Sequence, residues 1–157
     1  MRQAIFDVLG QRFPGGEVLD LYAGTGALGL EALSRGAARA RLVDRSAESL
    51  DLCRRNAQAL GLAERVEVLR RDLPAGVEGL APRAADWLFA DPPYGEDVAK
   101  LLRVVAASGI LAPGGVAIVE HERRSLPGDR YDAPCPLEKI DERRFGDTLV
   151  SFYRTGG

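Results

Sequence analysis

Strand-like and helix-like stretches alternate along the sequence, which predicts an α/β fold built on a mostly parallel sheet with helices on both faces. Two further observations sharpen the prediction. The last two strand-like stretches, 137–145 and 148–153, are separated only by Gly146-Asp147, a hairpin signal that makes the final pair antiparallel. Acids also close successive strands at Asp20, Asp44, Asp72 and Asp91, on the sheet edge outside which open α/β sheets bind ligands.

Taken in order, Ala4, Ile5, Val8 and Leu9 follow helical spacing, so 2–12 is expected to be a helix, ended by Pro14-Gly15-Gly16. Glu17 to Leu21 reads as the first strand. The glycine turn Gly24-Thr25-Gly26 opens a helix with Leu28, Leu30, Ala32 and Leu33 on its apolar positions, stopped at Gly36. Ala40 to Asp44 reads as the second strand. The helix after it is capped by Ser46, buries Leu50, Cys53, Ala57 and Leu60, and stops at Gly61. Val66 to Leu69 is a third strand, 74–80 a short crossover, and Trp87 to Ala90 a buried fourth strand. Val98, Leu101, Leu102 and Val105 mark another helix, and Val116 to Val119 the strand after Pro113-Gly114-Gly115. Residues 121–136 read as one long loop.

A chain of 157 residues with no second hydrophobic pattern is expected to form one domain over 1–157, with the first helix as an N-terminal cap. There is no run of 18 apolar residues and no signal-peptide pattern, so a cytoplasmic protein is expected. Cys53 reads as a core thiol and Cys135 as a loop thiol. With a single His and no Cys-x-x-Cys, no metal site is expected. The net charge of −2 argues against a general polyanion binder. All basic residues but Lys100 and Lys139 are arginine, and residues 35–55 are locally basic, either for phosphate recognition or from genome composition.

Asp91-Pro92-Pro93-Tyr94 is the stretch around which the rest is organised. Two prolines end the sheet ladder and leave the neighbouring carbonyls without partners. An acid, free carbonyls and an aromatic ring suit a planar base with an exocyclic amine: Asp91 and a backbone carbonyl accept its N–H groups, and Tyr94 covers its face. The plainer alternative is a strand end followed by a turn.

Gly24-x-Gly26-x-x-Gly29, with Asp44 downstream, also fits the fingerprint of a dinucleotide site. Asp20 opposes that reading. It brings a carboxylate beside the turn where a pyrophosphate would need N–H donors and no negative charge. S-adenosylmethionine, cationic and without phosphate, fits better. Asp44 is then placed for ribose hydroxyls and Asp72 for the adenine amine, with an ordinary cap as the alternative role of Asp72.

With Asp20-Leu21-Tyr22-Ala23-Gly24-Thr25-Gly26 and Asp91-Pro92-Pro93-Tyr94 both placed, the sequence resembles the class I S-adenosylmethionine-dependent methyltransferases that act on amines. More narrowly it resembles the RsmD family, which methylates the guanine exocyclic amine N2 of small-subunit ribosomal RNA. Leu28-Gly29-Leu30-Glu31-Ala32-Leu33-Ser34-Arg35-Gly36 and Arg143-Arg144-Phe145-Gly146-Asp147-Thr148 are the most specific segments of that likeness. The resemblance implies a Rossmann-like, seven-stranded sheet with a final antiparallel hairpin. It also implies cofactor contacts at Asp20, Tyr22, Gly24, Gly26, Asp44 and Asp72, and base contacts at Asp91, Pro92 and Tyr94. The expected partner is ribosomal RNA or the small ribosomal subunit, without a membrane and with the protein as a monomer. Relatives usually carry a basic segment ahead of the helix at Arg2 that this sequence lacks, which is expected to bear on RNA affinity and target choice.

Phosphate contacts are expected at Arg123, Arg124, Arg143 and Arg144, with Arg2 as a further candidate; the alternative is a solvated face paired with Glu120, Glu122, Asp141 and Glu142. Three other functions stay open: methylation of adenine or cytosine amines in DNA or RNA, a nicotinamide oxidoreductase, and a non-catalytic RNA-binding subunit.

Overall fold

The computed structural model describes residues 2–10, 13–80, 82, 84–123, 127–132 and 134–156, apart from the side chain of Arg2. The elements run α1 (Arg2–Leu9), β1 (Glu17–Leu21), α2 (Ala27–Ser34), β2 (Arg39–Asp44), α3 (Ala47–Ala59), β3 (Val66–Arg70), β4 (Ala85–Ala90), α4 (Val98–Ser108), β5 (Leu111–Glu122), β6 (Arg130–Tyr131), β7 (Leu137–Phe145) and β8 (Thr148–Thr155). They form one sheet in the order β3-β2-β1-β4-β5-β8-β7-β6. The pairs from β3 to β5 are parallel, and those from β5 through β8 and β7 to β6 are antiparallel.

The order in which strands are added reverses between the parallel neighbours β1 and β4, so a crevice opens outside their carboxyl ends, where open α/β sheets hold ligands. Alternation along the strands splits the core into two layers. Leu19, Leu21, Leu88, Ala90, Ala117 and Val119 pack under α4. Val18, Leu42, Phe89, Ile118 and Phe152 pack against α1, α2 and α3. By that alternation Asp20, Asp91 and Glu120 share the second face, on three adjacent strands. Phe6 anchors α1 there, with ring centroids 5.7 Å from both Phe13 and Phe89 and the Arg35 guanidinium 4.7 Å above its ring. Burial of such a ring contributes about 1.5–3 kcal/mol.

Several expectations hold closely: Ser46 caps α3 by accepting from the Ser49 N–H at 3.2 Å, and Gly146 turns the final hairpin at φ 62°. Others need correction. The first helix stops at Leu9, before Gly10 at φ 90°; residues 11 and 12 of the expected helix lie outside the described residues. Among the described residues the sheet has eight strands rather than seven. The extra one, β6, lies inside the expected loop because Tyr131 is buried against Tyr153, with centroids 5.9 Å apart. Its hydroxyl accepts from the Gly128 N–H at 2.8 Å, while the Tyr153 hydroxyl donates to the Gly128 carbonyl at 2.7 Å. Finally, β5 runs on past Val119, because β8 pairs with Glu120, His121 and Glu122.

Candidate active site

The glycine turn leaves β1 through Tyr22, which holds φ 57°, a left-handed conformation costly for a side chain of this size. Gly24 at φ 58° and Gly26 at φ 81° continue the turn into α2. The N–H groups of all three motif glycines are already engaged. That of Gly24 donates to Asp44 Oδ2 at 3.0 Å, that of Gly26 to the Ala23 carbonyl at 2.8 Å, and that of Gly29 to Asp20 Oδ2 at 2.9 Å. A pyrophosphate needs free donors here, so the turn suits a ligand without phosphate.

Asp20 is only 2 % exposed and sits beneath the turn, so its side chain is part of the packed interior. Burial pushes its carboxyl up to about 8 against the lowering effect of the Gly29 N–H, and the charges of Asp91 and Asp44 push the same way as burial.

Outside the turn lies a cleft of about 720 Å³ whose lining includes Tyr22, Asp44, Ser46, Asp72, Asp91 and Tyr94. Asp44 spans it at the end of β2, accepting from Gly24 with one oxygen and from the Ser46 N–H at 2.9 Å with the other. Asp72 is exposed, and among the described residues its carboxylate caps no backbone N–H; the Gly76 N–H closes instead on the Asp72 carbonyl at 2.7 Å. Arg45 and Arg71 face four acids in this lining, Asp44, Asp72, Asp91 and Glu96, an excess of negative charge that suits a cationic cofactor. Burial, helped by Glu96, raises the Tyr22 hydroxyl above its ordinary range, so it stays protonated.

Asp91-Pro92-Pro93-Tyr94 leaves the end of β4 and is held as a turn, with the Glu96 N–H on the Pro93 carbonyl at 3.1 Å and the Gly95 N–H on Glu122 Oε1 at 3.2 Å. Among the described residues no donor reaches the Pro92 carbonyl. Tyr94 is 84 % exposed, a large apolar face with no covering partner among the described residues. On the far side of the motif is a second pocket of about 190 Å³, lined by Asp91, Pro92, Tyr94, Glu120, His121 and Thr148 among others. Asp91, Pro93, Tyr94 and Glu96 line both cavities, so the motif is the wall between a large acidic cleft and a small acceptor-sized one.

Two residues of the small pocket escaped the sequence reading. Glu120 is 9 % exposed. Its carboxyl is pushed up to about 8 by burial first, then by a hydrogen bond to Asp91 and by the charges of Asp91 and Asp20. His121, on the other face of β5, donates from Nδ1 to the Glu122 carbonyl at 3.1 Å. The Ser151 hydroxyl lies 2.7 Å from His121 Nε2 and 3.2 Å from Glu142 Oε1, which ties the pocket floor to β7. The available signal was an acid directly after an apolar strand, the pattern that had singled out Asp20, Asp44 and Asp91.

The arginine candidates are dispersed. Arg123 is exposed just beyond β5, whereas Arg124 and the side chain of Arg2 lie outside the described residues. Arg143 pairs with Asp141 at 3.1 Å, and Arg144 donates from Nε to the Gly146 carbonyl at 3.1 Å. Among the described residues no cluster of His, Cys, Asp and Glu has the arrangement of a metal centre.

Residues 1–154 match the model of the family described as Conserved hypothetical protein 95. The chain is 34% identical over 161 residues to the candidate rRNA methyltransferase YlbH of Bacillus subtilis, covering 100% of this chain and 85% of that one. It is 29% identical over 100 residues to the ribosomal RNA small subunit methyltransferase D of Buchnera aphidicola, covering 64% of this chain and 52% of that protein. Among solved structures, a conserved hypothetical protein of Streptococcus pyogenes superposes with a TM-score of 0.89 at 29% identity, covering 100% of this chain and 96% of the other.

Proposed function

Since the chain belongs to the Conserved hypothetical protein 95 family and is an RsmD-like, S-adenosylmethionine-dependent RNA methyltransferase, we propose that it methylates the exocyclic amine N2 of a guanine in small-subunit ribosomal RNA. The observation that carries this reading is the shared wall. One short motif with an acid, an unpartnered carbonyl and an uncovered ring separates a cleft of about 720 Å³ from one of about 190 Å³. On this reading residues 1–157 act as one methyltransferase domain, and their site of action is the cytoplasm, where ribosomal RNA is assembled.

The cofactor supplies a methyl group already activated on a sulfonium. The chain supplies position and electrostatics. Asp44 accepts from the ribose hydroxyls, Asp72 from the adenine amine, and the acidic lining favours the cationic end. On the other side of the wall, Asp91 and the Pro92 carbonyl accept the two N–H groups of the target amine. Its lone pair is delocalised into the ring, and two acceptors off the ring plane favour the pyramidal nitrogen that restores it. Tyr94 stacks on the extruded base, a contact worth about 1–3 kcal/mol.

Nucleoside mass spectrometry after incubation with S-adenosylmethionine and unmodified small subunits, bare ribosomal RNA or DNA tests the reading. It predicts N2-methylguanosine from an RNA substrate. Methylated adenine or cytosine would replace the proposed base, and no product from any substrate would leave only a binding role.

A further inference from the structure

We propose that Glu120 is a positioning residue of the acceptor site: it donates a hydrogen bond to Asp91 from a neutral carboxyl and thereby aims the Asp91 carboxylate at the substrate amine. The inference deepens the function proposed above and rests on it for the identity of that amine.

Register brings the two acids together. β4 and β5 pair Phe89 with Ile118 and Ala90 with Val119, so Asp91 and Glu120 occupy the next rung and face the same way. Both carboxyl groups line the small pocket, and their interaction helps burial to raise Glu120. Two carboxylates placed side by side can only repel, so the pair is accommodated with one proton between them. The proton belongs to Glu120, which is 9 % exposed on the face of Ile118, Val150 and Phe152, whereas Asp91 is exposed.

Both acids line the small pocket, but only Asp91 also reaches the large cleft. Glu120 therefore approaches Asp91 from behind, from the acceptor side and the interior. One Asp91 oxygen is engaged by Glu120, and the other is left for the amine. The pair carries a single negative charge, so the pocket attracts an amine donor without stacking two anions beside a nucleic acid. Without the Glu120 proton, the Asp91 side chain, which leaves β4 before two prolines and carries no other side-chain bond among the described residues, is free to turn away.

Two variants separate positioning from packing. Glu120→Gln keeps the shape and an N–H donor toward Asp91, while Glu120→Leu keeps the bulk in an apolar setting and removes the donor. Single-turnover methyl transfer on the RNA substrate is measured with calorimetric cofactor affinity and melting temperature on the same samples. Glu120→Leu is expected to slow transfer by about 10- to 100-fold, the loss of one charge-assisted hydrogen bond expressed as a rate. Cofactor affinity should stay within about twofold, and Glu120→Gln should recover most of the loss in rate.

Equal rates in all three proteins overturn the proposal. So does a Glu120→Gln protein no faster than Glu120→Leu, which would mean that an ionisable carboxyl is needed. If Glu120→Leu fails to fold, infrared spectroscopy decides. Wild-type protein at neutral pH should show a protonated-carboxyl C=O band that Glu120→Gln lacks and Asp91→Asn shifts, beside the band of buried Asp20. No such difference overturns the proposal. A wild-type protein that yields no N2-methylguanosine refutes the guanine reading instead, and the infrared comparison still tests the pair.

Discussion

The Gly29 backbone N–H donates to Asp20 Oδ2 at 2.9 Å, and a Cβ on Gly29 would lie 3.3 Å from that same oxygen and 2.5 Å from Leu42 Cδ2. Asp20 thus holds the first turn of α2 onto the sheet from below. Its effect on the cofactor acts through the glycine turn it supports.

Asp20→Ala should therefore lower stability, because it leaves a buried N–H without an acceptor at a cost of about 1–3 kcal/mol. Asp20→Asn keeps an acceptor oxygen and should melt close to wild type. Thermal melting of the two variants checks this, and an unchanged melting temperature for Asp20→Ala would place the side chain outside the core.

Glycine positions of the turn should separate by mechanism. Gly29→Ala meets Leu42 at 2.5 Å and should cost about 1–3 kcal/mol by overpacking. Gly24→Ala meets nothing within 4 Å and suffers only from its φ of +58°, about 1–2 kcal/mol. Denaturant titrations showing Gly24→Ala as the more damaging would contradict the packing role given to the third glycine.

Asp20 and Glu120 also set a pH dependence of stability. Both carboxyls are raised to about 8 from 3.8 and 4.5. Below their unfolded values both states hold the protons and there is no penalty. As pH rises the unfolded chain ionises first, so the contribution is lost progressively until the folded carboxyls ionise near 8. The apo protein should lose stability between about pH 5 and 8, and the double variant Asp20→Asn/Glu120→Gln should flatten that decline. Parallel melting curves against pH for wild type and double variant would refute it.

Arg123 and Arg143 should differ on RNA. Arg123 is exposed beyond β5, while Arg143 is paired with Asp141 at 3.1 Å. Arg123→Ala should reduce the salt slope of RNA binding by about one unit, and Arg143→Ala by less. Equal slopes for both variants and wild type would assign both side chains to the solvated surface.

Much of this was legible in the sequence because period and punctuation agree. Ser46 and Gly61 bound α3, Gly146-Asp147 makes the hairpin, and the acids at Asp44, Asp72 and Asp91 close strands at one edge. What stayed hidden depends on partners distant in sequence. Glu120 and His121 look like the start of a polar loop until β8 pairs with them and buries them. Tyr131 becomes part of a strand only because Tyr153 covers it. Asp20 is read as ligand-facing from its place at a strand tip, and only the path of α2 shows that Gly29 has claimed it.

Tyr94 and Asp91 should fail in different ways. Tyr94 is 84 % exposed and contributes no core packing, so Tyr94→Ala should leave the melting temperature unchanged and weaken substrate binding by about 1–3 kcal/mol, with Tyr94→Phe tolerated. A Tyr94→Phe protein as weak as Tyr94→Ala would move the contact from the ring face to the hydroxyl.

Single-turnover methyl transfer by Asp91→Ala, at saturating cofactor and with its melting temperature taken on the same sample, tests the wall between the two cavities most directly. The site predicts a folded protein whose rate is lower by orders of magnitude with cofactor affinity nearly intact, since the bond from Asp91 to the amine matters most as the nitrogen becomes pyramidal. A wild-type rate accompanied by a lowered melting temperature would contradict it and leave Asp91 as the end of a strand.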